Sequence, residues 1–372
     1  MRNTVDRSTR SQCRSPRGDS KGWKTTGAAV FAFCWGISGV ACAKPPQAPT
    51  IGESVGQQDK TSGQTALGEQ AQAGVQPAPS LVTTTEKPAH SPHAAARPPA
   101  PENPPQLPPP EPCGPFTCYR LTDPGRAVAA VVLHEKAQLI GFGEAHAPAH
   151  FSGRTTVARF TEEVLPALST GSSHLMVELL APPAAGCDAE KEAARKESDA
   201  VTQGQSQANQ NQYLGLGNRA RELGVVPDIL RASCADMEQI AAPDGGVLAY
   251  METIARLFAV NLNERLKKTK PGRPLVLAYG GALHNDAQPR PGRESWSYVA
   301  SVQRQTDARY LELDLLIPEL IGDTESWKSF AWYSTYAKLQ KAGLHPPGQT
   351  LLMKWGQSSY ALFFSPAAAP AR

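Results

Sequence analysis

Three features of the sequence predict an α/β fold with a mostly parallel central sheet, flanking helices, an active cleft at the carboxyl ends of the strands and a C-terminal hairpin. Short apolar runs alternate with helix-spaced segments from residue 113 to residue 372. Parallel strands need crossover connections, and helices between strands supply them. The runs also lack period-2 alternation, as expected of strands covered on both faces. Finally, polar residues able to do chemistry follow several of the runs directly, where open α/β sheets bind ligands.

The elements follow in chain order. "KAQLIGFG" reads as the first strand and "GRTTVARFTEEVLPAL" as a helix. "HLMVELL" is the second strand. "YLGLGNRARELG" has helical spacing and leads into the short apolar run "VVPDIL". A long helix over "GGVLAYMETIARLFAVNLNERLKK" precedes the strand "RPLVLAYGG". "SWSYVASVQRQ" reads as helix, "ARYLELDLL" as strand and "WKSFAWYSTYAKLQKAG" as helix. "QTLLMKW" and "SYALFF" form the closing hairpin. Residues 184–212 interrupt this rhythm. They are polar and charged, and read as an insertion over the surface, a solvated loop with some helix.

Residues 1–42 read as a signal peptide. Seven basic residues precede the apolar run "TGAAVFAFCWGISGVA", which is shorter than the roughly 20 residues of a membrane span. Small residues surround Cys42. The site fits a lipoprotein signal with Cys42 as the anchor, an ordinary A-x-A cleavage over Ala41–Ala43, or an uncleaved signal anchor. Residues 43–112 hold sixteen of the 34 prolines and no aromatic residue, so they cannot bury enough apolar surface to order themselves. This stretch reads as a disordered, semi-rigid spacer between a membrane and the domain at 113–372. The expected location is periplasmic, or on the outer membrane or cell surface.

The net charge of +3 is more than accounted for by the signal peptide, so no basic footprint for nucleic acid remains. Four cysteines lie in the domain, an even number in a compartment where disulfides persist. Cys113 with Cys118 and Cys187 with Cys234 is the simplest of the three pairings. None has zinc-ligand spacing.

The chemistry is sought after the strands. Glu144, His146 and His150 follow the first, and Glu178 ends the second. His284, Asn285 and Asp286 follow "LVLAYGG", and Glu312 and Asp314 lie within "YLELDLL". Glu144 and His146 are two residues apart, so extended backbone puts them on one side. Glu178 sits inside an apolar strand, where an unpaired carboxylate is costly. Two imidazoles and two carboxylates from three strand ends suit a divalent metal such as manganese, zinc or cobalt. They equally suit metal-free acid–base catalysis with His as base and Glu as its orienter. On this reading Glu144, His146, Glu178 and His284 are catalytic, and His146, Glu178 and His284 are the metal-ligand set. His134, His174 and His345 carry no such pattern, and His174 stands at the opposite end of its strand. A P-loop, a nucleophile elbow and a complete dinucleotide loop are all missing.

At these residues the chain resembles the superfamily of TraB and Tiki proteins, erythromycin-esterase-like proteins and ChaN-type haem-binding lipoproteins. The shared pattern is a strand ending in Gly-Glu-x-His, a helix, a strand ending in Glu, and later a Gly-rich strand end with a second His. Gly143, Glu144 and His146 match it, then Glu178, then Gly280, Gly281 and His284. The Tiki branch implies a metal-dependent protease, and the esterase branch implies lactone opening by His and Glu. The ChaN branch implies a haem- or iron-binding lipoprotein without turnover. There His146, His150 and His284 would hold the cofactor, with Tyr213 and Tyr279 as further ligand candidates. The expected partner is a small-molecule or peptide substrate, or haem, with the membrane reached through Cys42.

Overall fold

The computed structural model describes residues 103–202 and 208–368. The signal peptide, Cys42 and nearly all of the Pro-rich spacer lie outside them. Nine strands form one sheet: β1 Glu111–Cys113, β2 Phe116–Leu121, β3 Leu139–Glu144, β4 Ser172–Ala181, β5 Val226–Arg231, β6 Leu275–Gly281, β7 Tyr310–Leu316, β8 Thr350–Lys354 and β9 Ser359–Phe363. Their order is β1-β2-β8-β9-β7-β3-β6-β4-β5. The six strands from β9 to β5 run parallel, and β8, β2 and β1 finish one edge antiparallel. The α/β class, the mostly parallel sheet and the closing hairpin β8–β9 are as the sequence predicts.

The helices are α1 Pro124–Glu135, α2 Thr156–Arg159, α3 Leu165–Leu168, α4 Asp188–Thr202, α5 Ala208–Glu222, α6 Cys234–Ala241, α7 Gly246–Lys267, α8 Val299–Gln305, α9 Glu325–Lys328 and α10 Tyr333–Lys341. A π-helical turn, Phe160–Val164, joins α2 to α3. Pro166 follows at once, and its missing N–H cannot close an ordinary helical bond there. One face of the sheet, here the front, packs Ile140, Phe142, Val177 and Tyr279 against α1, the α2–α3 segment and α5. The rear face packs Leu139, Met176 and Ala278 against α6, α7 and α8. Trp332 and Tyr336 cover the antiparallel edge beside Phe363.

This layering places the cleft. From β3 the chain leaves over the front face, through α2 and α3. From its neighbour β6 it leaves over the rear, through α8. Adjacent strands whose exits diverge leave a crevice between them at their carboxyl ends.

Several elements differ from the sequence reading. The described residues of the 184–212 stretch are largely helical rather than a loop: α4 packs on α6 and α7, and α5 lies against β4 and β5. The Cys187–Cys234 disulfide ties the start of α4 to α6, and Cys113–Cys118 closes the β1–β2 turn. The segment read as one helix from Trp327 is two, because Trp332 turns inward between them and is fully buried. "SWSYVASVQRQ" is helical only from Val299, after a short 3-10 turn. β1 starts at Glu111, two residues inside the stretch assigned to the spacer. Helix α1 was not anticipated. Asp123 caps it by accepting from the Arg126 amide, and Pro124 opens it.

Candidate functional site

β3 ends in Gly141-Phe142-Gly143-Glu144. Phe142 and Glu144 face the front, and the two glycines leave the rear side bare. That space is taken. A Cβ on Gly143 would lie 2.5 Å from Asn285 Oδ1 and 2.7 Å from Asp314 Oδ1, and one on Gly141 would collide with the Tyr310 hydroxyl. Close approach, rather than an unusual backbone angle, is what requires glycine here. β3 and β6 run in register with Glu144 beside Gly281, and Val177 pairs with Tyr279. The three polar strand ends therefore stand at one height.

The front half of the site is built on Glu144, which is 3% exposed. It is surrounded by donors. The Tyr213 hydroxyl, from α5, donates to Oε1 at 2.6 Å, and the Tyr279 hydroxyl, from β6, donates to Oε2. His146 Nδ1 lies 2.9 Å from Oε1. Nδ1 therefore carries the proton, and Nε2 is left toward Gly281. The His146 side chain keeps 21% of its exposure, so solvent or a substrate can reach it. Burial works against a charged imidazolium there. The hydrogen bond to Glu144 and the charges of Glu144 and Glu178 outweigh it, and the His146 pKa is raised. Burial first, and then Glu144, pushes both tyrosines well above their ordinary range, so they stay neutral donors.

The rear half pairs Glu178 with His284. Met176 faces the rear and Val177 the front, so strand alternation turns Glu178 to the rear beside Gly280 of β6. Its Oε2 accepts the Gly281 amide at 2.6 Å. A Cβ on Gly280 would strike that same oxygen and lie 2.9 Å from Glu178 Cβ. His284 follows in a tight turn, its amide donating to Gly281 O and its own carbonyl accepting from the Tyr298 amide. Its Nδ1 donates to Trp296 O at 2.8 Å, so Nε2 faces Glu178 Oε1 at 3.5 Å. The ring is 3% exposed and packs beside Phe258.

Four sequence candidates thus come together: Glu144, His146, Glu178 and His284. The donor types suit a first-row divalent metal held by His146, His284 and Glu178, with each imidazole fixed through its other nitrogen. The facing lone pairs of His284 and Glu178 are what a cation or a proton would satisfy. Among the described residues, however, no three His, Cys, Asp or Glu side chains stand at metal-holding spacing. His150 is exposed on the turn after β3 and stays outside the hydrogen-bonded cluster. Glu312 and Asp314 are buried, at 2% and 3%, and do not face solvent. They lie on the rear of β7, away from Glu144. His174 lies near the amino end of β4 beside Ser173, and His345 is held by Tyr336 and Gln349. Tyr213 and Tyr279 enter as donors to Glu144. The sequence places Tyr279 next to Gly280. Nothing in the polar stretch around Tyr213 marks it.

No protein-family model and no curated protein matches the chain. Among solved structures it is similar to the type III effector HopBA1, at 14% identity over 53% of this chain and 84% of that one, with a TM-score of 0.31. A likeness that distant carries no argument about function.

Proposed function

We propose that this chain is an exported, lipid-anchored hydrolase whose site is the Glu144–His146 and Glu178–His284 pairs, held on a Pro-rich tether. One observation carries the reading: two imidazoles, each fixed through Nδ1, turn Nε2 into the same crevice at the carboxyl ends of β3, β4 and β6. His146 takes a proton from water at Nε2, and Glu144 supports the imidazolium that results. Returned from Nε2, that proton goes to the leaving group. Glu178, anchored by the Gly281 amide, orients the attacking water together with His284. Where a divalent metal is bound, His146, His284 and Glu178 would hold it, and it would supply a lowered water pKa. The substrate class is an ester, lactone or peptide.

The test is a panel of esters and peptides given to the full chain and to His146→Ala/His284→Ala, with elemental analysis and a haem spectrum on both. Turnover lost in the double variant supports the hydrolase. Manganese, zinc or cobalt lost with it assigns the metal-dependent form. A haem band lost in the variant, with no turnover in the wild type, overturns the reading in favour of a haem-binding lipoprotein.

A further inference from the structure

Behind the cleft, on the rear face of the sheet, two buried oxygens flank Gly143 without a hydrogen-bond partner among the described residues. Asn285 donates its side-chain amide to Gly141 O at 3.1 Å, which fixes the amide and turns Oδ1 away from that carbonyl. Asn285 Oδ1 and Asp314 Oδ1 then converge on the space left by Gly143. Both are fully buried, and no donor among the described residues reaches either one. The two residues are 2% and 3% exposed. Buried acceptors left without a donor are costly. Turning the Asn285 amide over would only set its oxygen against Gly141 O instead. A proton on Asp314 supplies the missing donor.

We propose that Asp314 is held as the neutral acid and donates its proton to Asn285 Oδ1, and that this bond positions His284 over the cleft. The proposal rests on His284 working in the site described above. Asn285 follows His284 directly. Its side chain grips β3, its carbonyl accepts from the Tyr310 hydroxyl, and the Tyr298 amide holds the His284 carbonyl. Asp314 closes this set from β7, which pairs with β3 so that Asp314 stands beside Gly143.

The surroundings agree. Burial, and then Asp286, pushes Asp314 up to about 8, against the pull of Trp332 and Asn285. The Trp332 indole N–H faces it but stays outside hydrogen-bond geometry. Glu312, two residues back on the same face, is raised by burial and by Asp314, while Ser359 donates to it at 2.6 Å. Tyr298 and Tyr310 are the other titratable groups there, and both are raised by burial. The charges acting on the two acids are themselves acidic.

Asp314→Asn and Asp314→Ala in the full chain test this without any substrate, so the result is independent of whether hydrolysis is found. The readouts are the Asp314 carboxyl resonance, assigned by its loss in Asp314→Asn, and the Nδ1 proton resonance of His284. The carboxyl should keep its protonated shift through neutral pH. Asparagine supplies a permanent donor, so Asp314→Asn should retain the His284 signal, while Asp314→Ala should lose or shift it. Thermal stability of Asp314→Asn relative to wild type should also rise between pH 4 and pH 8, because only the wild type must keep a proton there that the unfolded chain releases. A carboxyl that titrates in the ordinary acid range overturns the proposal. So does a His284 signal lost in Asp314→Asn, or unchanged in Asp314→Ala.

Discussion

Glu144 and Asp314 stand on neighbouring strands, one residue apart in register, and both are buried. Glu144 points to the front and meets two tyrosine hydroxyls and an imidazole. Asp314 points to the rear and meets an acceptor oxygen and other acids. Burial is nearly equal, so burial does not decide what each does. The donors around it do. The front carboxylate can support a charge on His146. The rear one is pushed toward its neutral form and serves as a donor.

Replacing each acid by its amide separates the two most sharply. Glu144→Gln removes the negative charge behind His146, and hydrolysis should fall by about 10²- to 10⁴-fold, the usual worth of a general base. Asp314→Asn, measured in the same assay, should leave hydrolysis near the wild-type rate. Equal losses in both would erase the distinction.

The Cys187–Cys234 disulfide joins two helices on the rear side, yet the loop it closes reaches the front of the site. It spans 47 residues, and the loop it closes carries Tyr213, a donor to Glu144. Loop-closure entropy puts its contribution at about 4 kcal/mol. Replacing both cysteines by serine should lower the unfolding free energy by that order and weaken activity, with the Asp314 carboxyl resonance unmoved. A stable, fully active variant would show that Tyr213 is held without the disulfide.

Gly280→Ala acts between the halves. Its new methyl meets the Glu178 carboxylate, so Glu178 must shift. We expect a stability loss of about 1–3 kcal/mol, typical of overpacking, and a fall in kcat larger than that loss explains. Chemical denaturation beside steady-state kinetics checks both.

The smallest effect is on pH. The raised His146 pKa means that its protonated form stabilises the fold. That contribution is complete below the unfolded value near 6.5 and is lost as pH rises through the higher folded value. A base that must be neutral to act gives a hydrolysis profile whose acid limb lies above 6.5. Glu144→Gln should move that limb to lower pH in whatever activity remains.

The sequence made the cleft more legible than its supports. β3, β4 and β6 announce themselves as apolar runs, and Glu144, His146, Glu178 and His284 follow them or end them because strand ends are where polar groups can be aimed. Tyr213 was named only as a ligand candidate, and its role as a donor to Glu144 was hidden because it lies in a polar helix whose spacing says nothing of the sheet it covers. The α4 stretch read as part of a solvated insertion because its stabilising contacts are tertiary: packing on α6 and α7, and the disulfide. Strand alternation sets Glu178 on the rear with Met176, but nothing in the composition names the Gly281 amide that anchors it. Asp314 and Glu312 are legible in the sequence only as polar residues within a strand. The rear cover that buries them comes from Trp332 and Tyr298, distant in sequence.

The central claim is that His146 does the chemistry in this crevice. Its most direct test is hydrolysis of the ester and peptide panel by His146→Ala, with thermal unfolding recorded on the same samples. The account predicts at least a 100-fold loss of turnover with an unfolding temperature close to wild type. Turnover retained in a folded His146→Ala chain would contradict it.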